Sequence, residues 1–260
     1  MSIEPLDRFA RLVQGPESDL PLDEAALLLA TCVRPVDVDD GMARLDDLAG
    51  GCRGRDIDGV SAHLFVELGF AGDTADYADP RNSFLDDVMT RRRGIPITLS
   101  VLMMEVGRRI DVDVLGVGMP GHFLVRDGRR PDVFFDPFHA GARLDATGAQ
   151  ARFRAVRGDE RFRPEFLEPV GPRAILSRML ANLQHSFLTR QAGAAVPVAR
   201  MRLAIPGLAT SDRYQLATLL GSLGHYDEAA AILERLADNL GDAEAARVRR
   251  QMIAFRSRGN

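Results

Sequence analysis

The stretch from residue 91 to residue 138 decides the fold of this chain. It contains RRRGIPITLSVLMMEVGRRI (91–110), VGMPGHFLVRD (117–127) and VFFDPF (133–138). The first segment is apolar on nearly every turn, which predicts a buried helix from about Thr98 to Ile110 that follows Gly94 and Pro96. The later runs are short, rich in β-branched and aromatic residues, and separated by turn residues. We therefore expect a central helix packed on a small antiparallel sheet.

Helical patterns flank this stretch on both sides. Residues 22–33, 39–52 and 56–70 show apolar residues at spacings of three and four. After Pro164 the sequence returns to such patterns and lacks the β-branched runs that strands require. The expected fold class is α+β, with a first domain over residues 1–165 and an all-helical module over residues 173–260.

One part of the helical module has an internal pattern. Between about residues 213 and 240, two helical segments meet at a turn containing Gly224 and Tyr226, and Ala229 follows. Small residues there would let the two helices approach closely, as in a single tetratricopeptide-type repeat. One repeat cannot stack a solenoid by itself, so an ordinary helical hairpin remains the alternative.

Composition excludes several classes of protein. With 46% hydrophobic and 27% charged residues the chain has the mixture of a globular protein. Its 33 basic and 37 acidic residues give a net charge of −4, and tryptophan is absent, so we expect no nucleic-acid partner. No apolar run reaches the roughly 18 residues of a membrane span, so we expect no membrane partner either. The first residues carry early acids and no apolar signal region, which predicts a cytoplasmic location.

Two residues of the central stretch could form a catalytic pair. His122 and Asp136 lie fourteen residues apart on consecutive predicted strands, so a hairpin could bring their side chains into hydrogen-bonding reach. Enzymes with a cysteine nucleophile need a thiolate at a helix start, a histidine on a neighbouring strand and a carboxylate that orients the imidazole. The helix start here offers the hydroxyls of Thr98 and Ser100 but no thiol.

The remaining thiols and histidines form no recognisable ligand set. Cys32 and Cys52 lack CxxC or Cys/His spacing and lie in helical apolar patterns, which predicts small buried side chains. We expect His139 to face the solvent. The other histidines are scattered, and we predict neither a metal site nor a cofactor.

Residues 79–145 resemble the transglutaminase-like core of the SirB1 family of bacterial proteins. The matching pieces occur in the family's order: Asn82 to Leu85, Gly94-Ile95-Pro96, Leu99-Ser100, Pro120 to Arg126, Asp136-Pro137-Phe138, Gly141 and Leu144. The resemblance implies a papain-like core joined to a C-terminal tetratricopeptide-like region. It also implies that His122 and Asp136 occupy the histidine and aspartate positions, and that the nucleophile position falls near 96–98, where no cysteine stands.

Two hypotheses about function follow. The favoured one is a non-catalytic or degenerate transglutaminase-like protein whose cleft or helical module binds a protein or peptide, for example in regulation. The alternative is a hydrolase or acyl transferase that uses Thr98 or Ser100 as nucleophile, with His122 as base and Asp136 orienting it. A structural role is open for each residue: a buried His–Asp pair can be an inherited core network, and hydroxyls near a helix start can bond to the backbone.

Overall fold

The computed structural model describes residues 4–259 of the chain. Within this range α-helices predominate, and short 3₁₀ turns connect several of them. The α-helices are α1 Pro5–Gln14, α2 Leu22–Leu28, α3 Val38–Gly51, α4 Ile57–Ser61, α5 Leu85–Arg91, α6 Pro96–Arg109, α7 Ala146–Arg157, α8 Pro172–Arg190, α9 Ala195–Ala204, α10 Thr210–Ser222, α11 Tyr226–Ala237 and α12 Asp242–Gly259. A π-helical segment, Ala62–Glu67, continues α4.

Six short strands form two sheets in the described residues. The strands are β1 Ala71–Gly72, β2 Arg93–Gly94, β3 Val114–Val117, β4 Leu124–Asp127, β5 Phe134–Asp136 and β6 Ala142–Leu144. β1 and β2 form a small parallel pair. The other four strands form an antiparallel meander in the order β3-β4-β5-β6. The predicted meander is therefore present, with β6 as an additional edge strand that the sequence analysis did not identify.

Helix α6 is the centre of the main core. Most of its residues are buried, and it packs against the meander on one side and against α2, α3 and α8 on others. It begins two residues before the predicted start, because Pro96 occupies the first helical position, where its missing N–H costs no hydrogen bond.

A buried charge network holds the end of α6 against α2. One carboxylate oxygen of Asp23 accepts hydrogen bonds from Arg108 and Arg109, both at 2.7 Å. Glu105 is bonded to the same two arginines at 2.8 and 3.1 Å. Burial, together with the neighbouring Asp23 charge, raises the pKa of Glu105. Each buried carboxylate thus has cationic partners, as burial of charge requires.

The C-terminal helices have a second core of their own. Helices α10, α11 and α12 pack in sequence, and their buried residues form a separate apolar cluster that includes Ala229 and Phe255. The ring of Tyr226 lies 6.2 Å from that of Phe255. Helices α8 and α9, in contrast, also contribute buried residues to the main core.

The α+β fold class with a helical C-terminal region is confirmed. The division into domains 1–165 and 173–260 stays a prediction, since α8 packs on the central helix α6. None of the helices between residues 4 and 259 combines the length and apolarity that crossing a membrane would take.

Candidate functional site

The prediction that His122 lies on a strand is wrong: it lies in the loop between β3 and β4, two residues before β4 begins. The Pro120-Gly121 turn precedes it, and its side chain is buried. Arg178 of α8 holds this loop by donating to the carbonyl oxygens of Met119 at 2.7 Å and His122 at 2.9 Å. Its guanidinium also lies 5.5 Å from the centre of the Phe123 ring. Helix α8 therefore contributes directly to the position of the imidazole.

Asp136 is the last residue of β5 and is fully buried. Its Oδ1 lies 3.0 Å from Nε2 of His122, so the predicted hydrogen bond is present. A carboxylate can only accept, so Nε2 is the donor of this hydrogen bond. Asp136 also caps the following 3₁₀ turn by accepting from the backbone N–H of His139 at 3.3 Å.

Two further side chains reach the same carboxylate. Nδ1 of His139 lies 2.7 Å from Oδ2 of Asp136, although the His139 side chain is 44% exposed. Nε of Arg152, on α7, lies 3.0 Å from the same oxygen. This arginine nitrogen makes no hydrogen bond of acceptable geometry, so the contact is one of charge only. We expected His139 to face the solvent. Its side chain is indeed partly exposed, but Nδ1 of its ring bonds to the buried carboxylate of Asp136.

These contacts determine the ionisation of Asp136. Burial by itself would raise the pKa of Asp136, because a charge is poorly solvated inside a protein. The hydrogen bond from His122 and the charges of His122 and His139 outweigh burial, and the pKa of the carboxyl group lies below its usual value. Asp136 is therefore an anion at neutral pH.

Aromatic side chains cover His122. The Phe138 ring meets the imidazole edge to face at 6.3 Å, and Tyr77 meets Phe138 in the same manner at 5.8 Å. Tyr77 is about half exposed, so the solvent lies beyond it. Tyr77, Phe138 and the half-exposed His139 thus lie between the imidazole and the solvent on this side.

The end of α4 and the π-helical segment that follows it pack against the turn that carries His139. Gly141 has a φ of +68° and lies against Phe65 and Ser61, so a Cβ atom there would collide with both side chains. Ser61 donates a hydrogen bond to the carbonyl oxygen of Gly141 at 3.1 Å. Only glycine combines this backbone conformation with so close an approach.

Helix α6 packs against the turn Pro137–His139, which directly follows Asp136. Strand β2 ends at Gly94, directly before α6, and its partner β1 packs against the turn Pro137–His139. Thr98 and Ser100 are both fully buried. Their hydroxyl oxygens make no hydrogen bond to any group within residues 4–259, and in particular none to His122.

The two thiols are engaged elsewhere in the molecule. Cys32 donates to the carbonyl oxygen of Leu29 at 2.5 Å, and burial raises its pKa to about 12. Cys52 lies 3.5 Å from the carbonyl oxygen of Gly54, and burial raises its pKa as well. Neither thiol has the lowered pKa of a nucleophile.

His122 and Asp136 thus form a hydrogen-bonded pair, and neither a thiol nor a hydroxyl of the described residues bonds to the imidazole. Nε2 of His122 is held by Asp136, and Nδ1 bonds to no described protein group. The site also brings together three groups that can bind a metal ion, since the donor atoms of His122, Asp136 and His139 lie within 4.8 Å of one another. Asp136 already has Arg152 beside it, which partly satisfies the negative charge.

Sequence reasoning identified His122 and Asp136 as a pair but missed His139 and Arg152 as its neighbours. The spacing Asp-x-x-His in Asp136 to His139 was an available signal, because a 3₁₀ turn brings residues three apart onto one side. Arg152 gave no such signal, since α7 was not predicted.

Comparison with known proteins identifies relatives of the central part of the chain. A family model described as "Transglutaminase-like superfamily" matches residues 39–181. A "UPF0162 protein" of Xylella fastidiosa (strain 9a5c) is 43% identical over 136 residues, which cover 49% of this chain and 47% of the relative. A "UPF0162 protein" of Vibrio cholerae is 32% identical over 132 residues, covering 49% and 48%. Human "F-box only protein 21" is 33% identical over 97 residues, covering 34% of this chain and 15% of that protein.

The bacterial alignments therefore span about half of the length of these relatives. No solved structure matches the chain.

Proposed function

This chain belongs to the transglutaminase-like superfamily, and we propose that it is a non-catalytic member whose role is to bind a protein or peptide. The observation that carries this proposal is the start of α6. The segment expected to hold a nucleophile, residues 96–98, has no thiol, and the nearby hydroxyls of Thr98 and Ser100 are buried and unbonded. An oriented imidazole without a nucleophile cannot perform acyl transfer by the thiolate route.

The His122–Asp136 pair has a structural explanation within this proposal. Both side chains are buried, and Nε2 of His122 donates a hydrogen bond of 3.0 Å to Oδ1 of Asp136. Removing either partner would leave a buried polar group unpaired, which costs free energy whether or not the site reacts. The pair therefore does not by itself argue for catalysis.

The alternative, a hydrolase or acyl transferase with a hydroxyl nucleophile, is less well supported. A serine or threonine nucleophile needs a hydrogen bond to its base and an opening to the substrate. Thr98 and Ser100 have neither a bond to His122 nor any exposed surface. A hydrolase or acyl transferase of this kind would require α6 to move before each reaction.

We assign the binding role to the C-terminal helices. A cavity of about 590 Å³ opens between α10, α11 and α12. Its lining is mixed, with the apolar side chains of Leu240 and Val248 beside the polar ones of Gln215 and Arg247. Ligand sites commonly combine an apolar floor with a few polar groups. A tetratricopeptide-like module and membership of the SirB1 family are part of this proposal, as is the cytoplasmic location.

Arg247 is the side chain of this cavity most suited to contact a peptide. Its guanidinium lies 5.5 Å from the centre of the Tyr214 ring, and no carboxylate of residues 4–259 forms an ion pair with it. The guanidinium is held on an aromatic ring and can donate hydrogen bonds to a carboxylate of a partner, and Glu244 lines the same cavity.

Peptide selection on the purified full chain tests the binding role. We would isolate peptides from a random phage-displayed library and measure their affinity by fluorescence anisotropy. Arg247→Glu should weaken binding by at least tenfold, or about 1.4 kcal/mol. The matched control is Arg249→Glu, which makes the same charge change at an exposed position outside the cavity lining. Failure to select any peptide, or equal losses in both variants, would contradict the proposal.

Turnover assays test the non-catalytic half of the proposal. Ester hydrolysis and incorporation of a fluorescent amine into casein should stay at the buffer rate for the wild type and for His122→Ala. Turnover that disappears in His122→Ala would instead support an enzyme, and Thr98→Ala and Ser100→Ala would then identify its nucleophile.

A further inference from the structure

We propose that His122, Asp136 and His139 form a binding site for a divalent transition-metal ion of the zinc class, entered from the side of His139. This inference does not depend on the peptide-binding proposal. It gives the retained histidine and aspartate a role that requires no thiol.

The donor atoms are close to the positions that a metal ion requires. Nε2 of His122 lies 3.0 Å from Oδ1 of Asp136, and Nδ1 of His139 lies 2.7 Å from Oδ2. Zinc binds nitrogen and oxygen at about 2.0 to 2.2 Å, so neighbouring donors of a tetrahedral site lie roughly 3.3 Å apart. Each imidazole thus lies beside a different oxygen of Asp136, at a separation within about 0.6 Å of this value, and both oxygens face the space between the two rings.

The donor atoms can move closer together because His139 is the more exposed of the three residues. All three donor atoms lie within 4.8 Å of one another. His122 is buried beneath Phe138, whereas the His139 side chain is 44% exposed and can rotate toward the other two donors. The site thus has two ligands set in the core and one at the surface, which leaves an approach for the ion and for a water molecule.

The chemistry of the donors selects the class of ion. Two imidazoles and one carboxylate suit zinc and other transition metals, while magnesium and calcium prefer sites made of oxygen. In the structure each imidazole donates a hydrogen bond to Asp136. Binding requires each of these nitrogens to present its lone pair instead, so the ring proton moves to the other nitrogen. For His139 that nitrogen can bond to water, because the side chain is half exposed.

The positive charge of Arg152 opposes binding of the ion. Its guanidinium nitrogen lies 3.0 Å from Oδ2 of Asp136, so its charge repels a cation at the same carboxylate. The contact lacks hydrogen-bond geometry, and one third of the side chain is exposed, so Arg152 can turn toward the solvent. We expect moderate affinity for the wild type and tighter binding when this charge is removed.

Titration of the full chain, stripped of metal with a chelator, tests the site. Calorimetry with Zn²⁺ and visible absorption with Co²⁺ should each show one ion per chain, and Mg²⁺ should show none. We expect a micromolar Kd. His139→Ala should weaken Zn²⁺ binding by at least tenfold, and Arg152→Gln should strengthen it severalfold.

The matched control is His185→Ala, which removes an exposed imidazole that makes no described contact with the site. It should leave the affinity unchanged. Circular dichroism of His139→Ala should match the wild type, because the replaced side chain is half exposed. A wild-type Kd for Zn²⁺ weaker than about 1 mM, or equal affinity in the wild type and His139→Ala, would overturn the proposal.

Discussion

Replacing Asp136 by alanine should lower the free energy of unfolding by about 2 to 5 kcal/mol. The carboxylate is fully buried and accepts from Nε2 of His122, Nδ1 of His139 and the His139 backbone N–H. Arg152 supplies an opposite charge beside it. Alanine removes all four of these interactions at one position.

The expected loss is the sum of the losses at the three side chains that contact Asp136. The N–H of His122 stays buried and loses its acceptor, at a cost of about 1 to 3 kcal/mol. His139 is half exposed, so water replaces much of what it loses and about 1 kcal/mol remains. The partly exposed Arg152 contributes at most about 1 kcal/mol, because solvent screens its charge.

Urea unfolding of the full chain at neutral pH, followed by circular dichroism, measures this loss. The control is Asp132→Ala, a change at an exposed aspartate of the same hairpin that forms no described side-chain bond. Its effect should stay within about 0.5 kcal/mol of the wild type. A loss below about 1 kcal/mol for Asp136→Ala, or equal losses for the two variants, would refute the assigned network.

The same network predicts a pH dependence with a definite sign. The pKa of Asp136 lies lower in the folded chain than in the unfolded chain, so the folded state favours the anion. Its stabilising contribution is complete above the unfolded pKa of about 3.9, and it is lost as the pH falls through the lower folded value. The stability difference between wild type and Asp136→Asn should therefore shrink on acidification. A difference that grows below pH ~4 would contradict the lowered pKa.

Two further predictions concern packing and thiols. Gly221→Ala should lower the free energy of unfolding by about 1 to 3 kcal/mol, because a Cβ atom there would collide with the Phe255 ring and force α12 to shift. Thermal unfolding measures this loss. The control, Gly241→Ala, places its Cβ atom in open space and should cost much less. Cys32 and Cys52 should react slowly with a thiol reagent in the native protein and fully after denaturation, because burial raises both pKa values. Rapid stoichiometric labelling of the native chain at neutral pH would contradict this expectation.

Much of the fold was predictable because its patterns are local. The apolar run of α6, the turn residues between the strands and the return to helical periodicity after Pro164 each depend on near neighbours in the chain. Elements with weak local patterns were missed. β1 and β2 have two residues each, β6 has three, and α7 has a mixed composition. Pairing with distant segments stabilises such short elements, and a local pattern does not encode it.

The sequence by itself determined the helix-then-meander order, the absence of a thiol at the start of α6 and the candidate pair His122 and Asp136. Only the tertiary structure decided what surrounds that pair. It joined His139 and Arg152 to one carboxylate, set the Arg178 guanidinium on the His122 loop, and buried the hydroxyls of Thr98 and Ser100 without partners. Apart from the local contact between Asp136 and His139, these contacts connect residues on separate elements, so their geometry follows from how the elements pack rather than from the spacing of residues along the chain.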